Sequence, residues 1–82
     1  MDERLRSVMA SALHLSEAEA TALSDTDTIH TVNHWDSLGH IRLVIALEQA
    51  YEISIRDEQA IKLTSVERIV EMLQRRQVER VS

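Results

Sequence analysis

Residues 35–51, Trp35-Asp36-Ser37-Leu38-Gly39-His40-Ile41-Arg42-Leu43-Val44-Ile45-Ala46-Leu47-Glu48-Gln49-Ala50-Tyr51, pass from loop chemistry to helix chemistry within two residues. Upstream, Ser24-Asp25-Thr26-Asp27-Thr28 and Asn33-His34 carry short polar side chains. Such side chains compete with a helical backbone for its hydrogen bonds, so this stretch reads as loop. Downstream, Leu38, Ile41, Ile45 and Glu48 recur at spacings of three and four, and Val44, Leu47 and Tyr51 widen the apolar stripe. Asp36 is the natural N-cap and Ser37 the first helical residue. A serine hydroxyl therefore stands where a polar loop becomes a helix of about Ser37 to Tyr51.

Outward from this segment the remaining elements are also helical. Leu5, Val8, Met9, Ala12 and Leu13 predict a first helix from about Asp2 to His14. In the long connection that follows, Ser16-Glu17-Ala18-Glu19 resembles a capping box and predicts a short helical turn through Ala22. Leu23, Ile29 and Val32 are expected to fasten the loop to the core. A connection of this length with little structure of its own is often functional. After Tyr51, Glu52-Ile53-Ser54-Ile55-Arg56 reads as a connector. As a strand it would have no partner, which excludes a sheet. Asp57 is expected to cap a short third helix to about Lys62, and Thr64 with Glu67 to box the start of a last helix from Ser65 to about Gln77. Val66, Ile69, Val70 and Leu73 would form its buried stripe, and the last five residues are expected to fray. The expected architecture is all-α: a small up-and-down four-helix bundle with a short third helix and a long loop between the first two helices, residues 1–82 making a single domain.

Composition narrows the function. With 82 residues, a chain of this size builds one modest core. No cysteine is present, which fits a reducing compartment and removes a Cys zinc site or Cys nucleophile from this chain. The net charge of −5 argues against nucleic-acid binding, which needs a clustered basic surface. Arg75, Arg76 and Arg80 are expected only to complement the dipole of the last helix. No apolar run reaches bilayer length, and Met1-Asp2-Glu3-Arg4 does not open a signal peptide, so the expected location is the cytoplasm, without membrane contact. Lacking proline and phenylalanine, the chain must build an aliphatic core.

Three constellations suggest sharper chemistry. Asp25, Asp27, Asn33 and Asp36 fall at positions one, three, nine and twelve of a calcium loop, but Ile29 and His30 occupy positions five and six, where a ligand and a glycine are needed, and Asp36 is too short for position twelve. His30 and His34 have a zinc-like spacing, with His40 further on, yet the first two lie in loop with no obvious third ligand. His34, Asp36 and Ser37 are too close in sequence to point into a serial triad. No metal ligand and no catalytic residue is expected.

The ordered series Asp36-Ser37-Leu38, Leu43, Ala46-Leu47-Glu48, Tyr51, Ile53, Ile55 and Thr64-Ser65-Val66 resembles a free-standing acyl carrier protein over most of the chain. That resemblance implies a non-catalytic carrier whose Ser37 bears 4'-phosphopantetheine, with Asp36 orienting the serine and Leu38 beside it. A phosphopantetheinyl transferase would supply the arm from coenzyme A with Mg²⁺, Ser37 Oγ attacking the pyrophosphate. A cargo-loading ligase or acyltransferase and downstream biosynthetic enzymes would then meet a monomeric carrier of acyl or aminoacyl thioesters. Their expected contact surface is Trp35, Gly39, His40, Ile41, Arg42, Ile45 and Glu48. Trp35 either anchors the loop or lies exposed as a contact. Gly39 costs about 1 kcal/mol relative to alanine in a helix. Either it lets the arm or a partner approach closely, or it is merely tolerated. Gly39, His40, Arg42 and Gln49 are expected on an exposed face where carriers of fatty-acid synthesis display acids, so a specialised pathway is favoured. Tyr51 is expected in the core with its hydroxyl toward water. The alternative is an unmodified helical interaction module that binds a partner helix.

Overall fold

In the computed structural model, Asp2 adopts extended backbone and its carboxylate accepts from the Arg4 N–H, which starts α1 at Glu3–Ala12. Each later helix also begins where a local residue ends the loop. The order is α1 (Glu3–Ala12), α2 (Glu17–Ala22), α3 (Ser37–Tyr51), α4 (Asp57–Ala60) and α5 (Val66–Val81). The structure describes the backbone of residues 1–81 and the side chains of residues 1–76. The fraying expected of the last five residues lies outside the described side chains, although α5 is traced past the expected end near Gln77. Among the described residues there is no strand, only an isolated antiparallel bridge between Thr28 and Ser65. The all-α bundle with a short third helix is therefore the fold, with α2 as an extra short helix inside the long connection.

Local chemistry explains the boundaries. Ser16 and Glu19 form the expected capping box of α2: Ser16 Oγ accepts from the Glu19 N–H at 3.1 Å and Glu19 Oε1 accepts from the Ser16 N–H at 2.9 Å. The Ser16 backbone bond, followed by the Asn33 amide, holds the Glu19 carboxyl below the usual carboxylate range. Two caps differ from the sequence expectation. Arg56, not Asp57, is the N-cap position of α4, with Asp57 already inside the helix. At α5 the cap is the Ser65 hydroxyl, which accepts from the Arg68 N–H, and not the expected Thr64; the helix starts one residue later, at Val66, and the Thr64 carbonyl accepts from the Ile29 N–H at 2.9 Å. That bond, with the Val66 N–H donating to Asp27 O at 3.0 Å, ties the long loop to the start of α5.

The core takes Leu5, Met9 and Leu13 from the α1 segment, Leu43 and Leu47 from α3, and Val66, Ile69 and Met72 from α5. Leu23 is buried, with Ile29 and Val32 half-buried, so the loop is fastened as its apolar residues suggest. Val70 and Leu73 take only partly buried positions, and Met72 takes the full one. Tyr51 packs under the Arg4 guanidinium, 4.4 Å from its ring centroid. Its hydroxyl is buried, not turned to water, and burial pushes the phenol above its ordinary range.

Three arginines serve helices other than their own. Arg6 Nη1 donates to the carbonyls of Ala20 (2.6 Å), Thr21 and Leu23 (both 3.0 Å) at the end of α2. Arg42 Nε of α3 donates to Ala12 O, the last residue of α1, at 3.0 Å, and Arg4 Nη2 of α1 donates to Ala50 O near the end of α3. These last two bonds join opposite ends of α1 and α3, so the pair is antiparallel. Neither α1, α2 nor α3 has a basic residue in its own last turn. Each negative helix end is thus neutralised by a neighbour.

Candidate functional site

α3 starts because Asp36 stops the loop. Its backbone is extended and its Oδ1 accepts from the Gly39 N–H at 2.8 Å, while the His40 N–H donates to Asp36 O at 2.8 Å. Ser37, the first residue of the helix, is exposed, as are Asp36 and Leu38. A hydroxyl there lies at the positive end of a 15-residue helix dipole, a setting that favours an attached anion. Asp36 spends its cap on Gly39 and makes no triad with His34. A groove of about 770 Å³ opens elsewhere, between Arg4, Tyr51, Glu52, Leu73 and Arg76, and Ser37 does not line it. The serine is an exposed residue outside that groove.

The exposed positions of α3 are Ser37, Leu38, Ile41, Ile45 and Gln49. Leu38 is 62% exposed, Ile41 57% and Ile45 48%; next to α4, Ile61 is 70% exposed. The inward face is Gly39, Leu43 and Leu47. Ile41 and Ile45, expected on the contact surface, are exposed together with Leu38, whereas Gly39, His40 and Arg42, also expected there, do not lie on the solvent face. Gln49 is where it was expected. No charged side chain occupies the exposed positions of α3.

Several expected contact residues are engaged within the fold. Trp35 is only 3% exposed and anchors the loop, so it offers no surface to a partner. His40 is half-buried between the Trp35 indole N–H, 3.0 Å from its Nδ1, and the Ala60 carbonyl, 2.8 Å from its Nε2. Arg42 is drawn to Ala12 O by the unsatisfied end of α1. Glu48 Oε2 accepts from the Ile55 N–H at 2.9 Å and fixes the connector after α3. Gly39 is buried because the His34 carbonyl closes on it: a Cβ there would lie 2.0 Å from that oxygen. The close approach that Gly39 permits is made by the protein's own loop, not by an arm or a partner.

The loop acids also have structural partners. Asp27 accepts from the Ser24 N–H and the Thr31 hydroxyl, both at 2.9 Å. His30 and His34 are exposed. Among the described residues no group of three His, Cys, Asp or Glu side chains is arranged to hold a metal ion, and no helix is long and apolar enough to cross a membrane. Sequence reasoning missed Ile61, whose only signal is an apolar residue between Ala60 and Lys62 in a polar stretch, and the helix-end roles of Arg4 and Arg6, which have no local signal. A family model described as a phosphopantetheine attachment site matches residues 3–73.

Proposed function

This chain belongs to the phosphopantetheine attachment-site family, and on that premise we propose that Ser37 is the residue that carries its 4'-phosphopantetheine. The chain is a phosphopantetheine-carrying carrier protein, and the group is held covalently. The observation that supports Ser37 is its position: an exposed hydroxyl at the first residue of α3, held outside the core by the Asp36 cap. Asp36 keeps the first turn of α3 in place, and the helix dipole favours the negative phosphodiester that would follow. Ser37 Oγ would bond to the pantetheine-side phosphorus of the coenzyme A pyrophosphate, the P–O bond to the adenosine bisphosphate would break, and the serine proton would pass to solvent. When bound, the arm supplies a thiol for thioester cargo, which this cysteine-free chain lacks. The carrier itself is read as non-catalytic, monomeric and cytoplasmic, with residues 1–82 as one carrier domain.

The partners read from this surface are a phosphopantetheinyl transferase, a ligase or acyltransferase that loads an acyl or aminoacyl group, and later biosynthetic enzymes. Leu38, Ile41 and Ile45 run from Ser37 along α3 at helical spacing and support docking by apolar contact. The absence of exposed carboxylates on α3 supports a specialised pathway over fatty-acid synthesis, whose enzymes meet acidic carriers with basic patches. Arg42 no longer contributes to that reading.

The test is intact mass spectrometry after incubation with coenzyme A, Mg²⁺ and a promiscuous transferase. Wild type is expected to gain one phosphopantetheine and Ser37→Ala none, with the variant's melting curve unchanged to within about 1 kcal/mol because an exposed first-turn residue buries little. An unmodified wild type, beside a control carrier that is modified, supports the unmodified interaction module instead. Mass gained by the alanine variant would move the attachment point elsewhere.

A further inference from the structure

His40, three residues after Ser37, joins α3 to the loop before it and to the end of α4. Its Nδ1 accepts from the indole N–H of Trp35 in the loop, and its Nε2 lies 2.8 Å from the carbonyl of Ala60, the last residue of α4. An indole nitrogen only donates and a carbonyl oxygen only accepts. Both bonds exist together only when the imidazole is neutral and its proton is on Nε2. The two rings also stack, with centroids 6.3 Å apart and planes at 18°. Trp35 is two residues before Ser37, and Ala60 is followed by exposed Ile61. One imidazole thus ties the loop that delivers the serine to the end of α4.

We propose that His40 is a positioning residue for modification of Ser37: as the neutral Nε2–H imidazole it holds the Trp35 loop and α4 in the single arrangement that the transferase recognises. This rests on Ser37 being the attachment residue. His40 touches neither Ser37 nor the incoming group in this role. Its effect passes through Trp35 and Ala60. Losing it leaves a buried indole N–H without its acceptor and frees α4 from α3.

Glutamine and leucine variants separate positioning from bulk. The amide of His40→Gln offers an acceptor and a donor at a separation close to that of the two ring nitrogens, whereas His40→Leu fills space without either bond. With a promiscuous transferase, His40→Leu is expected to raise the KM for the carrier at least tenfold with kcat within twofold of wild type, and His40→Gln to restore KM to within threefold. Nitrogen NMR is expected to report Nε2–H imidazole at His40 and an indole N–H resonance for Trp35 that moves in His40→Leu and returns in His40→Gln. Trp35→Phe removes the donor but leaves the Ala60 bond, and is expected to raise KM as well, so a leucine variant that does not fold leaves the idea testable. A folded His40→Leu with wild-type KM, a glutamine variant no better than leucine, or the Nδ1–H tautomer would overturn the proposal. If wild type itself is not modified at Ser37, the attachment reading fails, while the tautomer and indole resonances still decide the bridge.

Discussion

Gly39 and His34 are fitted to each other. His34 has a left-handed backbone, φ 67°, and its carbonyl occupies the space that a side chain at position 39 would need. Alanine at 39 gains about 1 kcal/mol of helix propensity, but its Cβ must displace backbone, not a flexible side chain. The expected outcome for Gly39→Ala is a net loss of about 1–3 kcal/mol in urea denaturation, with slower modification of Ser37 because the loop beside it has moved. An unchanged midpoint would show that the loop yields freely. The sequence marks Gly39 as anomalous but does not name its neighbour. That neighbour is a main-chain oxygen, aimed by a left-handed residue, a conformation uncommon even for histidine, which is enriched there over most side chains. Ser37 and Asp36 were legible because a helix N-cap is a local arrangement, complete within four residues.

At the scale of the helices, beginnings were easier to read than faces. α1, α2 and α3 start where Asp2, Ser16 and Asp36 predict. α3, however, is apolar on most of its circumference, so periodicity alone does not choose between Leu38, Ile41 and Ile45 on one side and Gly39, Leu43 and Leu47 on the other. Packing against α1 makes that choice. Arg42 follows from it: with Leu43 turned inward, the arginine reaches the end of α1 and lies beside the strip that partners would meet, not on it. Arg42→Glu is therefore expected to destabilise the fold by about 2 kcal/mol, since it removes a charge-assisted hydrogen bond and sets an acid against a negative helix end. Arg42→Gln should cost less. Thermal and urea melts of both variants check this, and a glutamate variant as stable as wild type would return Arg42 to the solvent face.

For the molecule as a whole, the charged residues lie apart from the exposed positions of α3 through which we propose that partners dock. The net charge is −5, yet the exposed positions of α3 carry none of it. Ile41→Ser is expected to raise the KM for the transferase roughly tenfold, from about 1.5 kcal/mol of lost apolar burial. The ratio to wild type should be the same at low and high salt, because the substitution removes no charge for ions to screen. A wild-type KM for Ile41→Ser, with KM of both proteins rising steeply with salt, would assign recognition to the acidic surfaces instead. The arginines at helix ends also constrain how the chain is made. As the polypeptide leaves the ribosome, Ala12 O waits for a side chain 30 positions later, and Ala50 O closes on one synthesised 46 positions before. Of the three helix ends, only that of α1 emerges before its terminator, because Arg6 and Arg4 precede the ends of α2 and α3 that they serve. That end of α1 is tied only once Arg42 has left the exit tunnel.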